Sequence, residues 1–180
     1  YKRQGWKDTY AKPAHTARQK AYSRLRGDGQ VYTPQAVIDG LVHVVGSDAH
    51  AIHEAAEAYY GRLGAMSISL GVTEKDGTLE VDVGAAPEGV KGEANLVLIR
   101  VTKSTTVAIG RGENSGKTVT YTNIGRTAAR VGVWDGTARK FTIPADTAPS
   151  AEADGWIVVL QAGTPTEPGV ILAAAKAPGF

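Results

Sequence analysis

Cysteine is missing altogether from the 180 residues. Disulfides, thiolate metal sites and thiol catalysis are therefore excluded from anything these residues do alone, while the redox compartment stays open. Long apolar runs are missing too: no stretch reaches the ~20 residues that a membrane-crossing helix needs. Excess charge of either sign is small, at a formal +2, which argues for neither nucleic acid nor an anionic membrane as partner. The one local bias is basic. Lys2, Arg3, Lys7, Lys12, Arg18, Lys20, Arg24 and Arg26 face only Asp8 and Asp28 within the first thirty residues. Such a segment reads first as a solvated helix face. The sequence also starts on Tyr1 rather than Met and carries no secretory leader, so an N-terminal segment is expected to precede it.

What is present divides into two textures. Ala17, Ala21, Tyr22 and Leu25 recur at helical spacing beside Arg18, Gln19, Lys20 and Arg24, predicting an amphipathic helix over 15–25 that Gly27-Asp28-Gly29 ends. Val31-Tyr32-Thr33-Pro34-Gln35 follows, then two short apolar strands joined at Asp39-Gly40. Both residues of that joint tolerate the positive φ of a type I′ turn. Ser47 is expected to cap a second helix, whose apolar side is Ala51, Ile52, Ala55, Ala56, Tyr59 and Tyr60. After Gly64 nearly everything reads as strands, near 66–73, 78–84, 93–103, 105–109, 117–124, 129–134, 138–143, 155–162 and 169–175. Thr78-Leu79-Glu80-Val81-Asp82-Val83 alternates as a strand with one buried face should.

The expected class is α+β: the C-terminal half of a thioredoxin-like fold over 1–64, then an antiparallel, β-sandwich-like region over 65–180. Two helices and one hairpin cannot bury their apolar faces unaided. Either the β-rich part lends them surface or further strands come before Tyr1, and the second is the expectation.

Gly5-Trp6-Lys7-Asp8, His15 to Tyr22, Val31-Tyr32-Thr33-Pro34-Gln35 and Asp39-Gly40 together resemble a family of secreted bacterial proteins of uncharacterised function with a thioredoxin-like domain. Gly112-Glu113-Asn114-Ser115-Gly116-Lys117-Thr118, Asn123 and Val133-Trp134-Asp135-Gly136 resemble its β-rich C-terminal region. The resemblance implies export to the periplasm or beyond. It also implies a Cys-x-x-Cys segment with two strands, none of which lies in these residues. Thiol–disulfide exchange then requires a preceding segment to supply the Cys pair; the alternative is a non-enzymatic binding protein on the same scaffold.

Within that frame Thr33-Pro34 is the leading candidate. In thioredoxin-like folds the proline at this place is cis and its loop accepts an extended substrate backbone, with Tyr32 and Gln35 flanking the groove. The plainer reading is a trans turn leading into a strand. Arg111, Glu113 and Asn114 mark a polar loop that could pack near the same edge. Gly110 to Thr118 imitates a phosphate loop, but Arg111 stands where that loop needs glycine and Val119-Thr120-Tyr121 continues as a strand. His50 and His53 beside Glu54 and Glu57 have spacing a metal could use, yet exposed surface residues explain them more simply. His43 has no evident partner. Trp6, Tyr10, Trp134 and Trp156 read as packing residues. No catalytic residue, metal or cofactor is expected; a protein or peptide substrate is the partner considered, together with the missing N-terminal segment.

Overall fold

The structure, a computed structural model, describes residues 10, 12–90, 92–110, 115–164 and 166–179. Helix α1 spans Pro13–Arg26. Proline at its first turn gives up an amide that would have no helical partner anyway. Gly27, at φ 77, closes the helix by donating its N–H to Arg24 O. Strands β1 (Gln35–Ile38) and β2 (Val42–Val45) pair antiparallel. Between them Asp39 and Gly40 both take positive φ, 50° and 76°, and Leu41 N–H donates to Ile38 O at 2.9 Å. The Thr33–Pro34 peptide bond is cis. Helix α2 (Ala49–Tyr59) packs on both strands. Its cap is Asp48 rather than the expected Ser47: the Asp48 carboxylate accepts from Ala51 N–H at 3.0 Å. A carboxylate meets the positive end of the helix dipole as well as an orphan amide, which a hydroxyl does less well.

The rest is antiparallel sheet. Strands β3 (Leu70–Lys75), β4 (Thr78–Val83) and β7 (Arg139–Pro144) form one sheet in the order β3-β4-β7. Strands β5 (Ala94–Ala108), β6 (Thr118–Trp134), β8 (Gly155–Gly163) and β9 (Pro168–Lys176) form a second, ordered β6-β5-β8-β9. The α+β class therefore stands. The strands are fewer and longer than the sequence suggests: 93–103 and 105–109 are one strand, as are 117–124 and 129–134, while the first begins at Leu70 instead of 66. The expected break at 104 is regular ladder, with Ser104 opposite Thr122, and the one between 124 and 129 is absorbed as a bulge. Arg100 pairs Thr127 and Val101 pairs Gly125, leaving Arg126 as an extra residue; Val131 is extra in the same way between Arg130 and Gly132.

Both sheets contribute to one core. Leu79, Val81 and Val83 of β4 meet Leu96 and Leu98 of β5, Val158 and Leu160 of β8, and Trp134 and Trp156. The alternation read in 78–83 is thus a real inner face. Trp134 donates Nε1–H to Gly84 O at 3.2 Å and Trp156 to Glu74 Oε2 at 3.1 Å, so neither buried indole loses its hydrogen bond.

The first 64 residues are fastened to this body at its last strand. Ile171 N–H donates to Asp39 O at 2.9 Å, and Met66 N–H to Ile171 O at 3.0 Å. Gly40 passes directly against the Gly169 carbonyl, where a Cβ would collide. Buried Tyr22 receives Gln161 Nε2–H on its hydroxyl at 2.7 Å. The β-rich part therefore does lend surface to the hairpin, contrary to the expectation that only preceding strands would.

Candidate functional site

The Pro34 loop is assembled by side chains from three places. Gln19 on α1 donates Nε2–H to Tyr32 O and to Gln35 Oε1, both at 2.8 Å, which ties the loop to the helix. Pro34 O accepts Gly46 N–H at 3.0 Å across the hairpin. Tyr32 Oη lies 2.7 Å from His43 Nδ1, and the two rings meet edge-on at 5.4 Å. The other ring nitrogen, Nε2, is 3.1 Å from Asp28 Oδ2, which Arg26 Nε also reaches at 2.7 Å. Arg26, with the Gln30 amide behind it, holds the Asp28 carboxyl below its ordinary pKa. An ionised Asp28 favours Nε2–H on His43, leaving Nδ1 to accept the Tyr32 hydroxyl proton. The chain Arg26–Asp28–His43–Tyr32 thus fixes the aromatic wall of the loop. His43, expected to lack a partner, has two. Nothing in its spacing announced them, because Asp28 reaches it from the turn after α1.

Thr33 differs from its neighbours. It is exposed, and its main-chain N–H and C=O make no hydrogen bond among the described residues. Among the described residues strand β1, which follows directly, is hydrogen-bonded to β2 alone, so its other edge carries no described strand. The loop therefore leaves one main-chain donor and one acceptor open, both at Thr33, beside a held tyrosine.

With that geometry in place, two comparisons bear on the chain. The family model for proteins of unknown function designated DUF1223 matches residues 1–161. The chain belongs to the DUF1223 family. It is also similar to a crystallographically solved protein from Agrobacterium tumefaciens, AGR_C_4864, at 29% identity and a TM-score of 0.81, covering 98% of this chain and 75% of that one. No curated protein matches it.

Other candidates in this DUF1223 chain are dispersed. Arg111, Glu113 and Asn114 lie outside the described residues, as does Trp6. Thr118 opens strand β6, so no helix follows the glycine-rich loop to present its amides to a phosphate. His50 pairs with Glu54 at 3.4 Å and His53 with Glu57 at 3.3 Å, as two separate exposed pairs along α2. Among the described residues no three ligating side chains converge. Tyr10 packs edge-on against Tyr121 at 5.3 Å and under the Arg126 guanidinium at 4.7 Å. No described helix is long and apolar enough to cross a membrane.

Proposed function

We propose that residues 1–64 are the C-terminal part of a thioredoxin-like domain, that 65–180 form an appended β-sandwich, and that the Tyr32–Gln35 loop takes an extended peptide backbone. One observation carries this reading: Thr33 is exposed with neither its main-chain N–H nor its C=O bonded among the described residues, at the head of a strand whose outer edge carries no described strand. Backbone groups left open at an edge are a template for strand addition. The order helix, X-Pro loop, antiparallel hairpin, helix supports it, as do the exposed apolar side chains Val31 and Val45 at the two ends of that hairpin. In this reading a segment preceding Tyr1 completes the sheet and supplies a Cys pair, the protein exchanges thiols and disulfides, and it works after export. The alternative keeps the groove and drops the chemistry, leaving a peptide-binding scaffold.

The test starts from the natural reading frame upstream of Tyr1. A leader followed by two thiols that titrate reversibly, with disulfide reduction slowed by Tyr32→Ala, is the expected result. An upstream segment without cysteine removes the redox chemistry. The groove is then judged alone: the Thr33 amide should exchange rapidly in the free protein and become protected when an extended peptide binds. If no peptide protects it, the groove reading falls as well.

A further inference from the structure

A second feature lies on the far side of α1 and owes nothing to the Pro34 loop. The inner face of β5 carries Leu96 and Leu98 into the core, so the alternate residues Val97 and Ile99 point outward, half-buried rather than solvated. Helix α1 covers them without resting on them. It is fastened near its middle, where Arg18 donates to Tyr22 Oη at 2.9 Å and to Gln161 Oε1 at 2.5 Å. Near its start, Lys12 Nζ donates to Arg126 O at 2.6 Å. Between these ties the helix stands off: Ala14 and Ala17 remain exposed, and a cavity of about 850 Å³ separates them from Val97, Ile99 and Val159. Cavities of ~300–1,000 Å³ are the size that holds small organic ligands.

The wall chemistry is one-sided. Lys12, His15, Arg18 and Arg24 line the cavity from α1, and Arg126 from the sheet, with no Asp or Glu among the described lining residues. Arg126 is neutralised by Glu152 at 2.7 Å. Among the described residues Lys12 and Arg18 are bonded only to neutral oxygens, and Arg24 pairs with no carboxylate. Arg126 reaches this place because it is the bulged residue of β6, the kind of irregularity that re-aims a side chain. An inorganic anion would satisfy the cations yet leave the valine and isoleucine floor wet. A neutral apolar molecule would cover the floor and leave the cations unanswered. A nucleic-acid backbone needs an open track, and α1 roofs this space.

We propose that the cavity between α1 and the outer face of the four-stranded sheet binds an amphipathic organic anion: a carboxylate head against Arg18 and Arg24, on an aliphatic body lying over Val97 and Ile99 toward Lys12. The test is isothermal titration calorimetry of the 180-residue protein with dodecanoate below its micellar range, beside dodecyltrimethylammonium and acetate. Dodecanoate should bind one to one and at least tenfold more tightly than either comparison compound. The double variant Lys12→Gln/Arg24→Gln, which spares the Arg18 clamp, should weaken it by about tenfold, in keeping with the loss of charge-assisted contacts. Val97→Asp should abolish it, and Lys140→Gln on distant β7 should change nothing. Should Val97→Asp fail to fold, the double variant decides. Absence of dodecanoate binding, equal binding of the cationic surfactant, or indifference to the double variant overturns the proposal. A hexaglutamate peptide that binds where dodecanoate does not would overturn it in favour of a peptide groove.

Discussion

The two regions of the molecule are built on different terms. Among the described residues the two-sheet region holds nearly all the buried apolar side chains; the helix–hairpin–helix region contributes only Ala21, Tyr22 and Ala55. Exposure runs the other way. Among the described large apolar residues, Leu25, Val31, Val45, Tyr60 and Leu63 are exposed in the first region, against Val133 alone in the second. The sheets are therefore held by non-directional burial, while the first region is held by a few specific bonds, among them those at Asp39 and Tyr22, and by the close approach of Gly40 to Gly169. A region secured in that way stays attached only while each bond keeps its geometry. Its uncovered apolar side chains also mark where further chain or a partner would find surface.

Four substitutions break or sharpen that contrast. The largest effect belongs to the shared core: Trp134→Ala should cost about 3–5 kcal/mol and shift the whole urea transition, since it empties a site used by both sheets. Gly40→Ala should cost about 1–3 kcal/mol, through a positive φ and a collision with the Gly169 carbonyl. Its signature is local. Hydrogen exchange should accelerate in β1, β2 and α2 while β5 and β8 stay protected. Equal loosening of both regions would show them to be one cooperative unit.

The smallest effect is a matter of pH. Burial raises the Asp39 carboxyl above its ordinary value of 3.8, so its charge costs folding stability at neutral pH. That cost is absent below the unfolded pKa, grows as pH rises through it, and is complete above the folded value. Asp39→Asn, which keeps a residue tolerant of positive φ, should therefore be slightly more stable than the parent at pH 7 and equal to it in acid, as read by thermal melts. Asp28 runs oppositely. Its lowered pKa gives stability that is present above 3.8 and lost as pH falls through the folded value, so Asp28→Asn should flatten the acid limb of the hairpin's exchange protection.

How much of this was legible follows from the range of each interaction. The Asp39-Gly40 joint, the α1 stop at Gly27 and the inner face of β4 were readable because turn chemistry and period-2 burial act within a few residues. The Thr33-Pro34 loop was placed by the order of elements around it. The partners of His43 were hidden, because Asp28 and Tyr32 approach it from outside its strand. The long strands were misread as pairs of short ones, since Gly125-Arg126 looks like an interruption until β5 is beside it to accommodate a bulge. The basic face of α1 was visible from the start, but its relation to Val97 and Ile99 depends on a packing across eighty residues of chain.

The bulge at Arg126 has one more consequence, for how copies of the protein meet. Strand β6 is an outer strand of its sheet and seventeen residues long, the kind of exposed ladder onto which another molecule could zip. Its two extra residues put the backbone out of register with any straight partner. At the opposite margin β9 is already occupied by Asp39, Met66 and Ile68. The irregularity that aims an arginine into the cavity therefore also keeps the sheet finite in a crowded solution.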